Sequence, residues 1–251
     1  MTQQFIVDAS FWQLFPQAQL AVLILDNINN QGESSPAIKQ LLAEANLAAK
    51  KHLTAEQLSQ NPAVAVWREA YQQFKTKKGV RSSIEALLKR IEQGKGVGSI
   101  NPLVDIYNAA SLTYGLPCGA EDIDTFVGSL KLHITQGGDE FYALGDEENS
   151  PTLAGELCYT DDAGAVCRCF NWRDGKRTMI TESSRRAFIV LEYPNAGRRA
   201  DLEAALADIA RHAQAELGAN VVRQAILTAD NPAMDLNYPF SFASARLASK
   251  P

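Results

Sequence analysis

The chain has only four cysteines and three histidines in 251 residues. Four cysteines in a chain this long do not suggest a disulfide framework, and a reducing cytoplasm fits them best. Cys118 and Cys158 lack ligand-pair spacing, and His52, His133 and His212 are scattered, so no metal site is expected. Cys167-Arg168-Cys169 reads as part of a strand carrying buried, reduced thiols. No apolar run approaches the ~18 to 20 residues that span a bilayer, so no membrane partner is expected. Met1-Thr2-Gln3-Gln4 has no basic region before an apolar core, and a secretory signal is not expected either. There is no Gly-x-Ser-x-Gly elbow, and Cys118 has no base beside it. Gly94-Lys95-Gly96-Val97-Gly98 precedes a helix, but no strand leads into it and no Gly-Lys-Ser/Thr follows. It reads as a turn, and no cofactor is expected.

What remains is a globular composition, 46% hydrophobic and 21% charged, sufficient for one large domain or two small ones. The net charge of −5 argues against a general nucleic-acid coat, but the charges are unevenly placed. Arg68 to Lys95 holds eight bases and three acids, Asp139 to Asp162 eight acids and no Lys or Arg, and Arg168 to Arg186 six bases and two acids. Two basic segments lying together could bind RNA phosphates, with Lys77, Lys78 and Arg81 as candidates; solvated helix faces and strand ends are the other reading.

Hydrophobic spacing predicts short strands at Phe5–Val7 and Ala21–Leu25, with one helical turn from Ser10 to Phe15 between them. Mostly helix follows over residues 34 to 115, with capping boxes at Thr54–Gln57 and Ser82–Glu85 and a helix opening at Asn61-Pro62. The second half changes period. Leu130–Thr135, Phe141–Leu144, Leu153–Thr160, Val166–Trp172, Ala187–Leu191 and Val221–Leu227 read as strands, and Arg198–Leu217 as a helix. The expected class is α+β, a helical first half packed on a largely antiparallel sheet.

Two polar constellations stand out. Asn101 caps a helix with Pro102 at its first position, ending at Tyr114 before Gly115 and Pro117. On it Asn101, Asp105 and Asn108 share one face at i, i+4 and i+7. Such short polar groups either border a pocket or hold a neighbouring loop by its backbone. After the helix, Gly119-Ala120-Glu121-Asp122-Ile123-Asp124 reads as an acidic turn. The second constellation is Asn171-Trp172-Arg173-Asp174, where strand gives way to an Asp174-Gly175 turn, with Thr178 and Thr181 nearby. Arg173 could grip a phosphate or carboxylate and Asp174 orient a water or accept an amine. An Arg–Asp pair stabilising a tight turn is the alternative.

The stretch Asn101-Pro102-Leu103-Val104-Asp105 through Gly115-Leu116-Pro117 to Asp122-Ile123-Asp124 resembles the B-three/B-four editing domain of the phenylalanyl-tRNA synthetase β subunit. Stand-alone proteins built on that domain are more similar still, through Arg81-Ser82-Ser83-Ile84-Glu85-Ala86-Leu87-Leu88 and Asn171-Trp172-Arg173-Asp174. The resemblance covers roughly Val66 to Glu192. It implies a single editing-type domain over 1–251, with 1–65 a less diagnostic N-terminal extension, and the fold of that domain.

It also implies a cytoplasmic protein that binds the tRNA acceptor end and hydrolyses a mischarged aminoacyl ester by a positioned water. Asp174 and Arg173 would then be catalytic, and Asn101, Asp105, Asn108, Gly119, Glu121, Asp122, Asn171 and Thr178 would contact substrate. Where the family turn usually reads His-Ala-aromatic-Asp, this chain reads Gly119-Ala120-Glu121-Asp122, which implies a wider, more acidic pocket. The second reading is a non-catalytic module binding RNA, a nucleotide or an amino acid; a third is a hydrolase of small aminoacyl esters or amides. The chain is too short for the ligating parts of a synthetase.

Overall fold

The computed structural model describes residues 3–237. Ten strands and six α-helices follow one another in these residues as β1 (Gln4–Val7), α1 (Ala9–Leu14), β2 (Gln19–Asp26), α2 (Pro36–Ala48), α3 (Pro62–Ala70), α4 (Ser83–Glu92), α5 (Pro102–Tyr114), β3 (Cys118–Asp122), β4 (Leu130–Ile134), β5 (Leu157–Asp161), β6 (Gly164–Arg168), β7 (Arg173–Asp174), β8 (Ala187–Tyr193), α6 (Arg199–Leu217), β9 (Asn220–Leu227) and β10 (Ala233–Asp235). The class is α+β, and the strands form two sheets. One runs β10-β1-β4-β5-β6-β7 and the other β3-β8-β2-β9. Every pairing is antiparallel except β1 with β4.

The unbroken apolar run of β2 explains the layering. Its side chains alternate, so Leu20, Val22 and Ile24 enter the core between the two sheets while Ala21, Leu23 and Leu25 meet the helices. Helix α6 lays Leu202, Ala205, Leu206, Ile209 and Ala213 against that second core. Between the sheets, Phe5 of β1 meets Phe188 of β8 edge to face at 4.9 Å and lies 5.8 Å from Tyr159 of β5. Both β1 and β2 are interior strands, so the segment before residue 66 supplies an interior strand to each sheet.

Helix α5 forms as its local signals dictate. Asn101 accepts from the Val104 amide at 3.0 Å, Pro102 occupies the first turn, and Gly115 ends the helix in left-handed backbone at φ 64°. Several longer-range expectations are corrected. Gly119 to Asp122 is strand, not turn, because β3 pairs along β8. Phe141–Leu144 makes only an isolated bridge, Ala143 to Gly175. No helix starts at Thr54: Asn61 Oδ1 takes the Thr54 and Ala55 amides at 2.7 and 2.9 Å and holds a bend instead. The Val166–Trp172 strand stops at Arg168, because Cys169 and Phe170 take left-handed backbone at φ 48° and 67°. That kink drops the Phe170 ring against Trp67, 5.3 Å between centroids.

Arg168 and Glu156 form an ion pair with almost no exposure, 1% and 0%, in which Arg168 Nε and Nη2 both donate to the carboxylate. Removing one partner strands the other charge. Glu156→Ala is expected to lower the unfolding free energy by about 3 to 5 kcal/mol in urea titrations; a loss under about 1 kcal/mol would contradict this placement.

Candidate functional site

Strands β3 and β8 present alternate residues to the opposing sheet: Gly119 and Glu121 from β3, Phe188, Val190 and Glu192 from β8. Facing them are Tyr159 of β5, Cys167 of β6 and Asp174 of β7, with Phe170, Asn171 and Trp172 from the kinked loop and Ser83 from the first turn of α4. Together they line a hollow of about 60 Å³. A Cβ at Gly119 would meet nothing within 4 Å, so the missing side chain contributes to this space. In absolute size the hollow is small, because core aromatics form its other walls.

Three carboxyl groups line this space. Glu192, 1% exposed, accepts from the Tyr159 hydroxyl and, at 2.5 Å, from Asn171 Nδ2. Asn171 Oδ1 in turn accepts from the Tyr71 hydroxyl at 3.0 Å and the Ser83 amide at 3.4 Å. Burial pushes Glu192 up to about 8 even though both hydrogen bonds favour its charged form. Burial, and then the nearby Asp174, hold Glu121 well above the usual carboxylate range. Burial raises Asp174 as well. Ionising one acid makes the others harder to ionise, so the three titrate as a set.

The site also contains polar atoms with no partner. Glu121 is 5% exposed and its Oε2 has no hydrogen bond within 3.5 Å; Ser83 Oγ is likewise buried and unpaired, and the buried Thr178 hydroxyl lies near enough to favour the charged form of Glu121. Such atoms cost stability unless a ligand or water meets them. Thr178 lies beside Glu121 because the bridge from Glu121 to Met179 and the Asp122 amide bond to Thr178 O (2.8 Å) draw this segment along β3.

The structure brings together Gly119, Glu121, Asn171 and Asp174, with Thr178 adjacent. It does not bring Arg173 into the hollow. Neighbouring residues on a strand point to opposite faces, so with Asp174 inside, Arg173 lies outside, 3.5 Å from Asp146 and over the Trp172 ring. Nor do Asn101, Asp105 and Asn108 line it. Asn101 Oδ1 caps α5 and takes Asn30 Nδ2 at 3.1 Å. Asp105 accepts from Ser34 Oγ at 2.5 Å, the Ile100 amide at 2.7 Å and Ser99 Oγ, which fastens two loops to the helix. Asp122 accepts from Ser184 Oγ at 2.6 Å and from the Asp124 amide at 3.0 Å.

Tyr107 of α5 lies near these acids without lining the hollow. Burial, with Asp174, Cys118 and Glu121 nearby, raises its phenol well above the ordinary value. Lys78 and Arg81 are exposed, and Lys77 donates to Ser150 Oγ at 2.8 Å. The basic segment runs into Ser83, and so reaches the hollow's wall.

Sequence reasoning missed Glu192, although a signal was present. In the strand Ala187-Phe-Ile-Val-Leu-Glu-Tyr193 the one acid shares the parity of Phe188 and Val190, the inward face. Among the described residues no group of three His, Cys, Asp or Glu could hold a metal ion, and no helix is long and apolar enough to cross a membrane.

Comparison with known proteins adds the following. The model of the B3/4 domain family matches residues 66–218. A stretch of 97 residues, 39% of this chain, is 34% identical to the phenylalanine–tRNA ligase beta subunit of Psychrobacter arcticus, and spans only 12% of that protein. Among solved structures, an N-terminal fragment of the phenylalanyl-tRNA synthetase beta-subunit from Pyrococcus horikoshii aligns at TM-score 0.46 and 12% identity, over 86% of this chain and 49% of that one.

Two outcomes are expected. Folded Glu192 keeps its proton up to about 8, against an ordinary 4.5, so the fold binds more protons than the unfolded chain between those values. Stability from this group is full below the lower value and is lost as pH rises through the upper one. Glu192→Gln should therefore flatten the decline in urea midpoint between pH about 5 and about 8.5; an unchanged slope would contradict the assignment. Asp105→Ala should cost about 3 kcal/mol of stability, as expected for lost bonds to a buried charge, and a urea midpoint equal to wild type would refute its bracing role.

Proposed function

This chain belongs to the B3/4 domain family, and on that premise we propose that it binds the acceptor end of tRNA and hydrolyses the ester of a wrongly attached amino acid. The observation that carries this reading is the meeting of Glu121, Asp174 and Asn171 at one hollow whose wall includes Ser83, two residues beyond the basic Arg81. Carboxyl groups in a poorly solvated space are suited to receive an ammonium ion, which in turn favours their charged form.

In this reading the α-ammonium of the aminoacyl group sits by Glu121 and Asp174. Asp174 accepts a proton from a water as the water oxygen bonds to the ester carbonyl carbon. The bond from that carbon to the ribose oxygen then breaks, and the ribose oxygen leaves with the proton returned by Asp174. A protein nucleophile has no part in it. Burial holds the thiols of Cys118 and Cys167 far above their ordinary range, so at neutral pH neither is a thiolate. Arg173, on the outer face over Trp172, takes a backbone phosphate together with Lys77, Lys78 and Arg81.

One observation favours the second reading, a binding module without turnover: no histidine lines the hollow, and Gly119 stands where the resembling family usually carries one. Deacylation of a panel of misacylated tRNAs separates the two. Asp174→Asn is expected to lower kcat/KM by about 100-fold or more. Arg173→Ala should raise KM several-fold with kcat within about 2-fold. Release no faster than spontaneous from every tRNA would leave only the binding module, detected as thermal stabilisation by ligand.

A further inference from the structure

The hollow is small and its walls are fixed. Phe188 packs on Phe5 at 4.9 Å and Phe126 at 6.4 Å, and Tyr159 is tied to Glu192 while lying against Phe5. Phe170 is wedged against Trp67 and Phe11 at 5.3 and 5.5 Å. These rings belong to the core between the sheets, so enlarging the hollow means repacking that core. A cavity known to hold a benzene ring measures about 150 Å³, against about 60 Å³ here. At ~10 to 15 Å³ per water-sized group, the space takes roughly four to six: an ammonium, an α-carbon, the carbonyl carbon and a side chain of one to three heavy atoms.

The chemistry of the wall narrows the choice further. Glu121 Oε2 and Ser83 Oγ are buried at the hollow without a partner. A group that brings N–H donors pairs them, whereas hydrocarbon alone leaves them unpaired at a cost. We propose that the site selects aminoacyl groups with small, ring-free side chains, such as glycyl, alanyl and seryl, holding the α-ammonium at Glu121, and that it excludes aromatic ones by size. This selectivity rests on the deacylase reading above, but the seat for a small amine can be tested apart from it.

Initial rates on tRNA charged with glycine, alanine, serine, phenylalanine or tyrosine give the first test. The small group should exceed the aromatic pair by about 100-fold in kcat/KM, as steric exclusion of a ring requires. Faster release of phenylalanine or tyrosine overturns the inference and leaves the hydrolytic function standing. Release from none overturns the function, and thermal shifts with alaninamide and phenylalaninamide then decide the seat. Stabilisation by alaninamide only supports it; stabilisation by phenylalaninamide, or by neither, overturns it.

A filling variant checks the location. At Gly119 a Cβ meets nothing within 4 Å and the backbone φ is not positive. Gly119→Leu should therefore keep the wild-type melting temperature within a few degrees while losing both small-group release and the alaninamide shift. Retention of either in the folded variant places the small group elsewhere.

Discussion

Two apolar sheets pressed face to face leave little water to solvate a charge, yet Glu121, Asp174 and Glu192 all point into the gap between them. An isolated carboxylate is costly there, so burial raises all three above their ordinary values. The rest of the site follows from that constraint. Tyr159 and Asn171 must serve Glu192, Asn171 must be held by Tyr71 and Ser83, and Phe170 must turn through left-handed backbone so that Asn171 can reach. A ligand ammonium reverses the balance locally by restoring the charged form of its partners. The unpaired Glu121 Oε2 costs stability in the free protein, and in the proposed reading the ligand meets it.

The limits of legibility in the sequence are physical. The limits of α5 were readable because caps act within one turn: Asn101, Pro102 and Gly115 determine their own surroundings. Strand β3 was not readable, because Cys118 to Asp122 becomes strand only by pairing with β8, some seventy residues later. Asn101 and Asp105 drew attention as short polar groups on an apolar helix. Their partners, Asn30 and Ser34, are distant in sequence, and bracing was the alternative that pattern alone left open. Arg173 and Asp174 looked like a pair because they adjoin; on a strand, adjacency separates them.

The division of labour in the fold is therefore plain. The elements that precede residue 66 supply an interior strand to each sheet, and the span matched by the family model carries the hollow between the sheets. The basic segment before α4 and the outward Arg173 provide positive charge outside an acidic interior. This fits a polyanion held at the surface while an amine enters. In the proposed reading, it lets a chain of net charge −5 meet RNA.

The most direct test of this account is the titration of side-chain carboxyl ¹³C shifts with pH. The account predicts Glu121 and Glu192 titrating well above the ordinary range, Glu192 at about 8 and absent in Glu192→Gln, with Asp174 raised as well. If every glutamate and aspartate titrates between about 3 and 5, as solvated carboxyls do, the acids are not held in a closed gap, and the site described here does not exist.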